Sequence, residues 1–295
     1  MLTVSNNSLC QVSKCFAQAH LSFVLRLCVP EKDVKRLAGH AFHAAAEKIH
    51  SGHTVDEGLE ALKTAYKPLT DPPDTYSLSN LERIFRTWAR YHTPDVLAYK
   101  IIGVEEWFKV PLDDNGDFIF QGRKDFRTLD PSLNLVIPAD LKTTGKVTQY
   151  TWEDYILNSQ VSGYLYSEHL ADNRVSQMLI NVVEISLPPK PGRKCSIHKV
   201  DYSECAPEHV KWETAYAYRT EPQLTEWRKC AILFAKQLQT LKTSYNDVAA
   251  IPYVRQTGMF TSACIFCDFR EFCRNDRPLH WIGSRLLPRA DNYTE

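Results

Sequence analysis

Apolar residues return at helical spacing through the first third of the chain and then switch to short alternating runs. Small and apolar residues alternate in a helical manner over residues 8–28. Asp33 to Ser51 sets Leu37, Ala41, Ala44, Ala45 and Ile49 along one side, so both segments predict helices. Residues 54–67 and 77–92 predict two more, separated by the Asp71-Pro-Pro-Asp74 break. From there the pattern shortens. Val104-Glu-Glu-Trp-Phe-Lys-Val110, Phe118-Ile-Phe-Gln-Gly122 and Leu133-Asn-Leu-Val-Ile-Pro138 read as neighbouring strands, the first two joined by the hairpin turn Asp113-Asp-Asn-Gly116. A helix follows at roughly 151–171, then a buried strand over Val175–Leu187, a turn over Pro188–Arg193 and a return strand over Cys195–Val200. Pro207 to about Tyr245 predicts one long helical stretch carrying Trp212, Tyr216, Trp227, Ile232 and Leu238. No repeat, low-complexity tract or linker divides the chain.

At 295 residues, with 24% charged and 44% hydrophobic positions, the chain can bury a sizeable core as one large domain or as a domain with a helical elaboration. Lys plus Arg and Asp plus Glu each number 35, so the formal net charge is zero. That balance excludes a strongly basic coat, and any nucleic-acid contact must come from local patches such as Lys190-Pro-Gly-Arg193-Lys194, which also reads as a solvated turn. No apolar run approaches the roughly 18 residues of a membrane span, and the N-terminus lacks a charged start followed by an apolar core. The expectation is a soluble, intracellular, cytoplasmic protein with no membrane partner.

Candidate chemistry concentrates where the strands end. Gly122-Arg-Lys-Asp125 closes one strand, and Ile137-Pro-Ala-Asp140-Leu-Lys142-Thr143-Thr144 continues the next. Side chains alternate faces along a strand, so Asp140 and Lys142 point the same way and Leu141 points into the opposite layer. Two carboxylates and a lysine can then meet at one point. Hard oxygen ligands suit Mg²⁺ or Mn²⁺, and a lysine beside them can orient a water and offset growing negative charge. By itself the spacing also fits a solvated ion pair. Glu105 or Glu106 would sit near this point or on the surface, and His43, four residues after Gly39, would be a ligand or an ordinary helical histidine.

Nine cysteines, an odd count without a secretion signal, argue against a disulfide framework. Cys195, Cys205 and Cys230 are scattered and read as small core residues. Cys264, Cys267 and Cys273 form a tight C-x2-C-x5-C that suits a soft metal or an iron–sulfur cluster, either of which needs a fourth ligand from elsewhere. Zinc also fits.

The order Gly39-x-x-x-His43, Gly122-x-x-Asp125, Asp140-x-Lys142-Thr143 and Gln160-x-x-x-Tyr164, flanked by an N-terminal cysteine and Cys264, Cys267 and Cys273, resembles the RecB-like branch of the PD-(D/E)xK nucleases. More narrowly it resembles the iron–sulfur members, which include the AddB nuclease domain and the four-cysteine CRISPR-associated exonucleases. The resemblance runs from about residue 3 to residue 275. It implies an α/β, restriction-endonuclease-like fold: a central mixed sheet of about four or five strands flanked by helices, with a helical subdomain formed by both termini around a metal cluster. Residues 1–295 would form a single nuclease domain, with its core at about 100–205 and helical, cluster-binding parts at about 1–95 and 206–280.

The resemblance further implies that His43, Asp125, Asp140 and the Leu141 carbonyl hold Mg²⁺ or Mn²⁺, that Lys142 positions the attacking water, and that Gln160 and Tyr164 support the site and approach the DNA backbone. It implies a 4Fe-4S cluster on Cys15, Cys264, Cys267 and Cys273, with zinc as the alternative metal. Cys10 competes with Cys15 for the fourth position, ahead of Cys28, because Cys15 is followed by Phe16 where the family usually has proline. The activity implied is a metal-dependent deoxyribonuclease, an exonuclease on single-stranded DNA or DNA ends in DNA repair or recombination. The alternatives are a catalytically weak nucleic-acid-binding or assembly module that keeps the nuclease fold, and a zinc-stabilised interaction protein. The chain has no G-x-x-x-x-G-K-[ST] motif, so a helicase activity would come from a helicase or recombination partner.

Overall fold

A computed structural model describes residues 1–29, 34–68, 71–94, 97, 99–156, 158–188, 192, 194, 199–201, 210–245, 264, 267–275 and 279–288. Strand β1 (Leu2–Ser5) runs directly into helix α1 (Asn6–Lys14), where Ser5 and Ser8 close a capping box that satisfies backbone N–H groups at the helix start. The helix expected over 8–28 is broken. Cys15 is extended at φ −161°, and the chain resumes as the short helix α2 (Phe16–Ala19), a π-helical turn (His20–Val24) and the two-residue strand β2 (Leu27–Cys28). Spacing of small and apolar residues does not distinguish one long helix from short turns in tandem.

Helices α3 (Val34–His50), α4 (Val55–Ala65) and α5 (Leu78–Ala89) lie where expected, the last two started by the caps Thr54 and Ser77. Strands β3 (Lys100–Pro111), β4 (Phe118–Asp130) and β5 (Leu135–Thr144) run longer than their apolar runs suggested. The helix expected at 151–171 is two, α6 (Gln149–Ile156) and α7 (Ser159–Leu170), because Asn158 caps α7 by accepting from the Gln160 N–H. Strand β6 (Gln177–Glu184) follows.

The long helix expected from Pro207 is corrected by the structure. Trp212–Tyr218 is strand β7, and helix α8 (Glu221–Ser244) begins only at the Thr220 capping box with Pro222 in its first turn. Trp212 and Tyr216, four residues apart, fall on one face of a helix and, at two strand periods, on one face of a strand; the aromatic and Thr content of Trp-Glu-Thr-Ala-Tyr-Ala-Tyr favours the strand. Helix α9 (Arg270–Arg274) and strand β8 (Leu287–Pro288) complete the described elements. Most of the return strand expected over Cys195–Val200, most of the basic patch around Lys190, and Cys195 and Cys205 lie outside the described residues.

Among the described residues the sheet is mixed and holds six strands, in the order β1-β4-β5-β6-β7 with β3 also on β4. Pairs β1/β4 and β5/β6 are parallel, whereas β4/β5 and β6/β7 are antiparallel. The described residues divide into two units. The first comprises Met1–Glu31, Trp107–Gly122 and Thr220–Glu295; the second comprises Lys32–Glu106 and Arg123–Arg219. Each of β3 and β4 therefore contributes residues to both.

In the first unit, β1 registers against Phe118–Gln121, β2 pairs with β8, and Ala17, Leu21, Leu27, Phe269, Phe272 and Leu286 form a small core. In the second, Phe42, Phe85 and Trp88 are fully buried and meet edge-on, with ring centroids 5.3 Å apart for Phe42–Trp88 and 5.6 Å for Phe42–Phe85. The buried stripe of α3 thus docks on α5. Gly39 faces the sheet from α3: a Cβ there would lie 3.0 Å from Thr143 Oγ1 on β5, so the glycine permits a close helix–strand approach.

Candidate functional site

Asp140 and Lys142 both lie within β5, and alternation places them on one face while Leu141 is buried on the other. Lys142 Nζ sits 2.8 Å from Asp140 Oδ2. Burial pushes the Asp140 carboxyl up to about 6, with Lys142 pulling it down and Asp125 pushing it further up. Burial alone would lower Lys142, but Asp140 and Asp125 outweigh it and hold the ammonium above its usual range. The pair is therefore a charged lysine against a crowded carboxylate.

Asp125 reaches the same place from β4. Its Oδ2 accepts the Leu141 N–H at 2.8 Å, so one strand orients a carboxylate by a backbone group of the next. Burial raises its pKa despite Lys142 and that hydrogen bond. From α3, His43 Nδ1 approaches the same Oδ2 at 3.5 Å. Burial and the Lys142 charge lower His43 to about 4, so its imidazole is neutral near pH 7 and keeps a lone pair for a ligand. Gly39 is one helical turn earlier, and its closeness to Thr143 is what brings His43 to the carboxylates.

Helix α7 supplies the next layer. Gln160 Nε2 donates to Asp140 Oδ1 at 3.1 Å and to the Tyr164 hydroxyl at 3.0 Å, and Tyr164 donates in turn to the Arg123 carbonyl. A turn further on, fully buried Glu168 accepts from Lys124 and Arg127 on β4 and from Asn173. His43, Asp125, Asp140, Lys142, Gln160 and Tyr164 are thus neighbours within the second unit. The choice between Glu105 and Glu106 resolves as well: Glu105 Oε2 lies 2.6 Å from Arg123 Nε, whereas Glu106 pairs with Arg127. Burial and the carboxylates of Asp125, Glu47 and Asp140 raise Glu105 to about 7. Arg123 and Glu47 were not singled out from the sequence; Glu47, one turn after His43 on α3, carried a spacing signal, and Arg123, two residues before Asp125, carried an alternation signal.

The four candidate ligand cysteines, Cys15, Cys264, Cys267 and Cys273, belong to the first unit. Cys15 and Cys267 both pack against the Ala17–Leu21–Phe272 core. Burial pushes the Cys267 thiol up to about 12, and Cys15, Cys273 and Cys264 add to the rise. The Cys267 N–H donates to the Cys264 carbonyl at 3.4 Å, and the Cys273 N–H donates to that of Phe269 at 3.0 Å. Cys10 lies instead against Asn6, Cys28 within β2, and Cys230 is exposed on α8 rather than in the core.

Among the described residues no group of three or more His, Cys, Asp or Glu side chains is drawn together closely enough to hold a metal ion. The donor chemistry around Asp140 nonetheless fits a hard divalent cation. Two buried carboxylates with raised pKa values are short of positive charge, and a neutral imidazole stands beside them. No helix among the described residues is long and apolar enough to cross a membrane.

A family model described as the PD-(D/E)XK nuclease superfamily matches residues 3–274. No curated protein matches the chain. Among solved structures, that of SSO0001 aligns over 89% of this chain and 96% of its own length at 13% identity, with a TM-score of 0.32.

Proposed function

We propose that this chain, which belongs to the PD-(D/E)XK nuclease superfamily, is a divalent-metal-dependent deoxyribonuclease that works as an exonuclease on single-stranded DNA or DNA ends. The observation that carries the reading is the meeting of Asp125, Asp140, Lys142 and His43 from β4, β5 and α3 in one unit. Asp125, Asp140, His43 and the Leu141 carbonyl would hold Mg²⁺ or Mn²⁺. The chemistry such a cation supplies is Lewis-acid polarisation of a phosphodiester and acidification of water.

The chain's own groups do the rest. Lys142, kept protonated by the two aspartates, points its ammonium where it orients a water for in-line attack and offsets the charge growing on the phosphorus oxygens. Gln160 fixes Asp140 through Oδ1, and Tyr164 ties that glutamine to the Arg123 carbonyl, so the carboxylate does not swing away from Lys142. In the first unit, Cys15, Cys264, Cys267 and Cys273 would hold a 4Fe-4S cluster, a reading supported by the packing of Cys15 and Cys267 against one core and by the effect of the other three thiols on Cys267.

The test is loss of end-labelled single-stranded DNA with added Mg²⁺ or Mn²⁺. Wild type should shorten the strand, and Asp125→Ala and Asp140→Ala should cut at least roughly 100-fold more slowly while still binding DNA. Wild-type cleavage rates in either variant would remove the aspartates from the mechanism. Tight binding without cleavage under any divalent cation would leave a nucleic-acid-binding module.

A further inference from the structure

Four cationic side chains belong to the strands that carry the aspartates, and they are not equivalent. Lys124 is buried against Glu168, Arg127 is shared between Glu168 and Glu106, and Lys142 is held on Asp140, whereas the Arg123 side chain is 51% exposed. Arg123 is two residues before Asp125 on β4, so alternation sets both side chains on one face. Its charge acts on that site, being among the influences that lower His43 and Asp125. Its main chain is tied down by the Tyr164 hydroxyl and its head by Glu105 Oε2, 2.6 Å from Nε. Glu105 makes that contact from φ +53°, a left-handed backbone that a residue with a side chain seldom adopts inside a strand.

We propose that Arg123 is a phosphate-binding residue for a single-stranded nucleic acid and that Glu105 is the positioning residue that aims its guanidinium. The proposal rests on the nuclease reading above and deepens it by naming where the strand is gripped. A polyanion drawn toward Asp125, Asp140 and Glu105 is repelled by all three unless a cation stands at the solvent side. The planar guanidinium matches two phosphate oxygens at once, which an ammonium cannot do. The ion pair with Glu105 holds the charged head near the aspartates before the strand arrives and lowers the ordering cost of binding.

Fluorescence anisotropy of a labelled single-stranded oligonucleotide in EDTA, where no cleavage occurs, tests this directly. Arg123→Ala should raise Kd about tenfold and reduce the slope of log K against log salt by about 0.7, the value for one lost contact on a single strand. Arg123→Lys should recover the slope but only part of the affinity, because the charge returns and the fork does not. Glu105→Ala should weaken binding when Arg123 is present and add nothing in the Arg123→Ala background. Equal Kd and equal slope for wild type and Arg123→Ala, with unchanged melting temperatures, overturn the proposal while leaving the nuclease reading intact. Independent losses in the double variant remove Glu105 from it. A wild type that binds no oligonucleotide at any salt overturns the nuclease reading, and the proposal with it.

Discussion

Lys142 and Asp140 are held 2.8 Å apart, the carboxylate buried and the lysine partly exposed, and removing the lysine leaves the carboxylate in an environment arranged for the pair. Lys142→Ala should therefore lower single-turnover cleavage by roughly 100-fold, whereas Lys142→Arg retains the charge and loses less. A rate within twofold of wild type for Lys142→Ala would make the lysine a mere surface partner. Period-two alternation made this pair readable from residue types alone. Glu105 was not separable from Glu106 on the same basis, because strict alternation simply assigns them opposite faces. The φ of +53° at Glu105 is a local exception that no glycine or asparagine announces.

Among elements, the approach of α3 to β5 decides whether His43 arrives. The Cβ of Gly39→Ala would meet Thr143 Oγ1 at 3.0 Å, so one of the two must give. We expect Gly39→Ala to reduce cleavage several-fold although alanine favours a helix by about 1 kcal/mol over glycine. Thr143→Ala in the same chain removes the obstructing oxygen and should restore it; a double variant as slow as the single one would exclude this steric account. The Gly39–His43 spacing was visible in the sequence, but its reason, a threonine across the interface, was not. Strand β7 shows the converse limit. Seven residues fit both the helical and the strand period, and only the Thr220 capping box with Gln223 marks where the neighbouring helix starts.

At the scale of the molecule, the two units carry different liabilities. The second buries His50 and His92, whose pKa values burial lowers to about 3 and about 4. Both lie below the unfolded value near 6.5, so the unfolded chain binds more protons, and stability present above about pH 6.5 is lost as pH falls toward those lowered values. Melting temperatures measured across that range should drop with acidification, and more gently in His50→Leu; a flat wild-type profile contradicts the assignment. On the proposed cluster reading, the first unit depends on its sulfurs. Cys267→Ser should abolish visible absorbance and bound iron and lower thermal stability, while Cys230→Ser leaves all three unchanged; iron retained in Cys267→Ser would rule out that ligand, and stoichiometric zinc would replace the cluster. The C-x2-C-x5-C run is legible in the sequence, whereas the packing of Cys15 and Cys267 against one core is not. That division also sets an order in time. Residues of the second unit end at Arg219, whereas the first needs a segment from each end of the sequence. On a ribosome adding about 5–20 residues per second, the unit bearing Asp140 can close while Cys15 still waits several seconds for Cys264 and its neighbours to be synthesised. On the proposed cluster reading, metal loading at the sulfurs would then follow closure of the aspartate site, and a shortage of iron during growth should yield chains whose aspartate site is already formed.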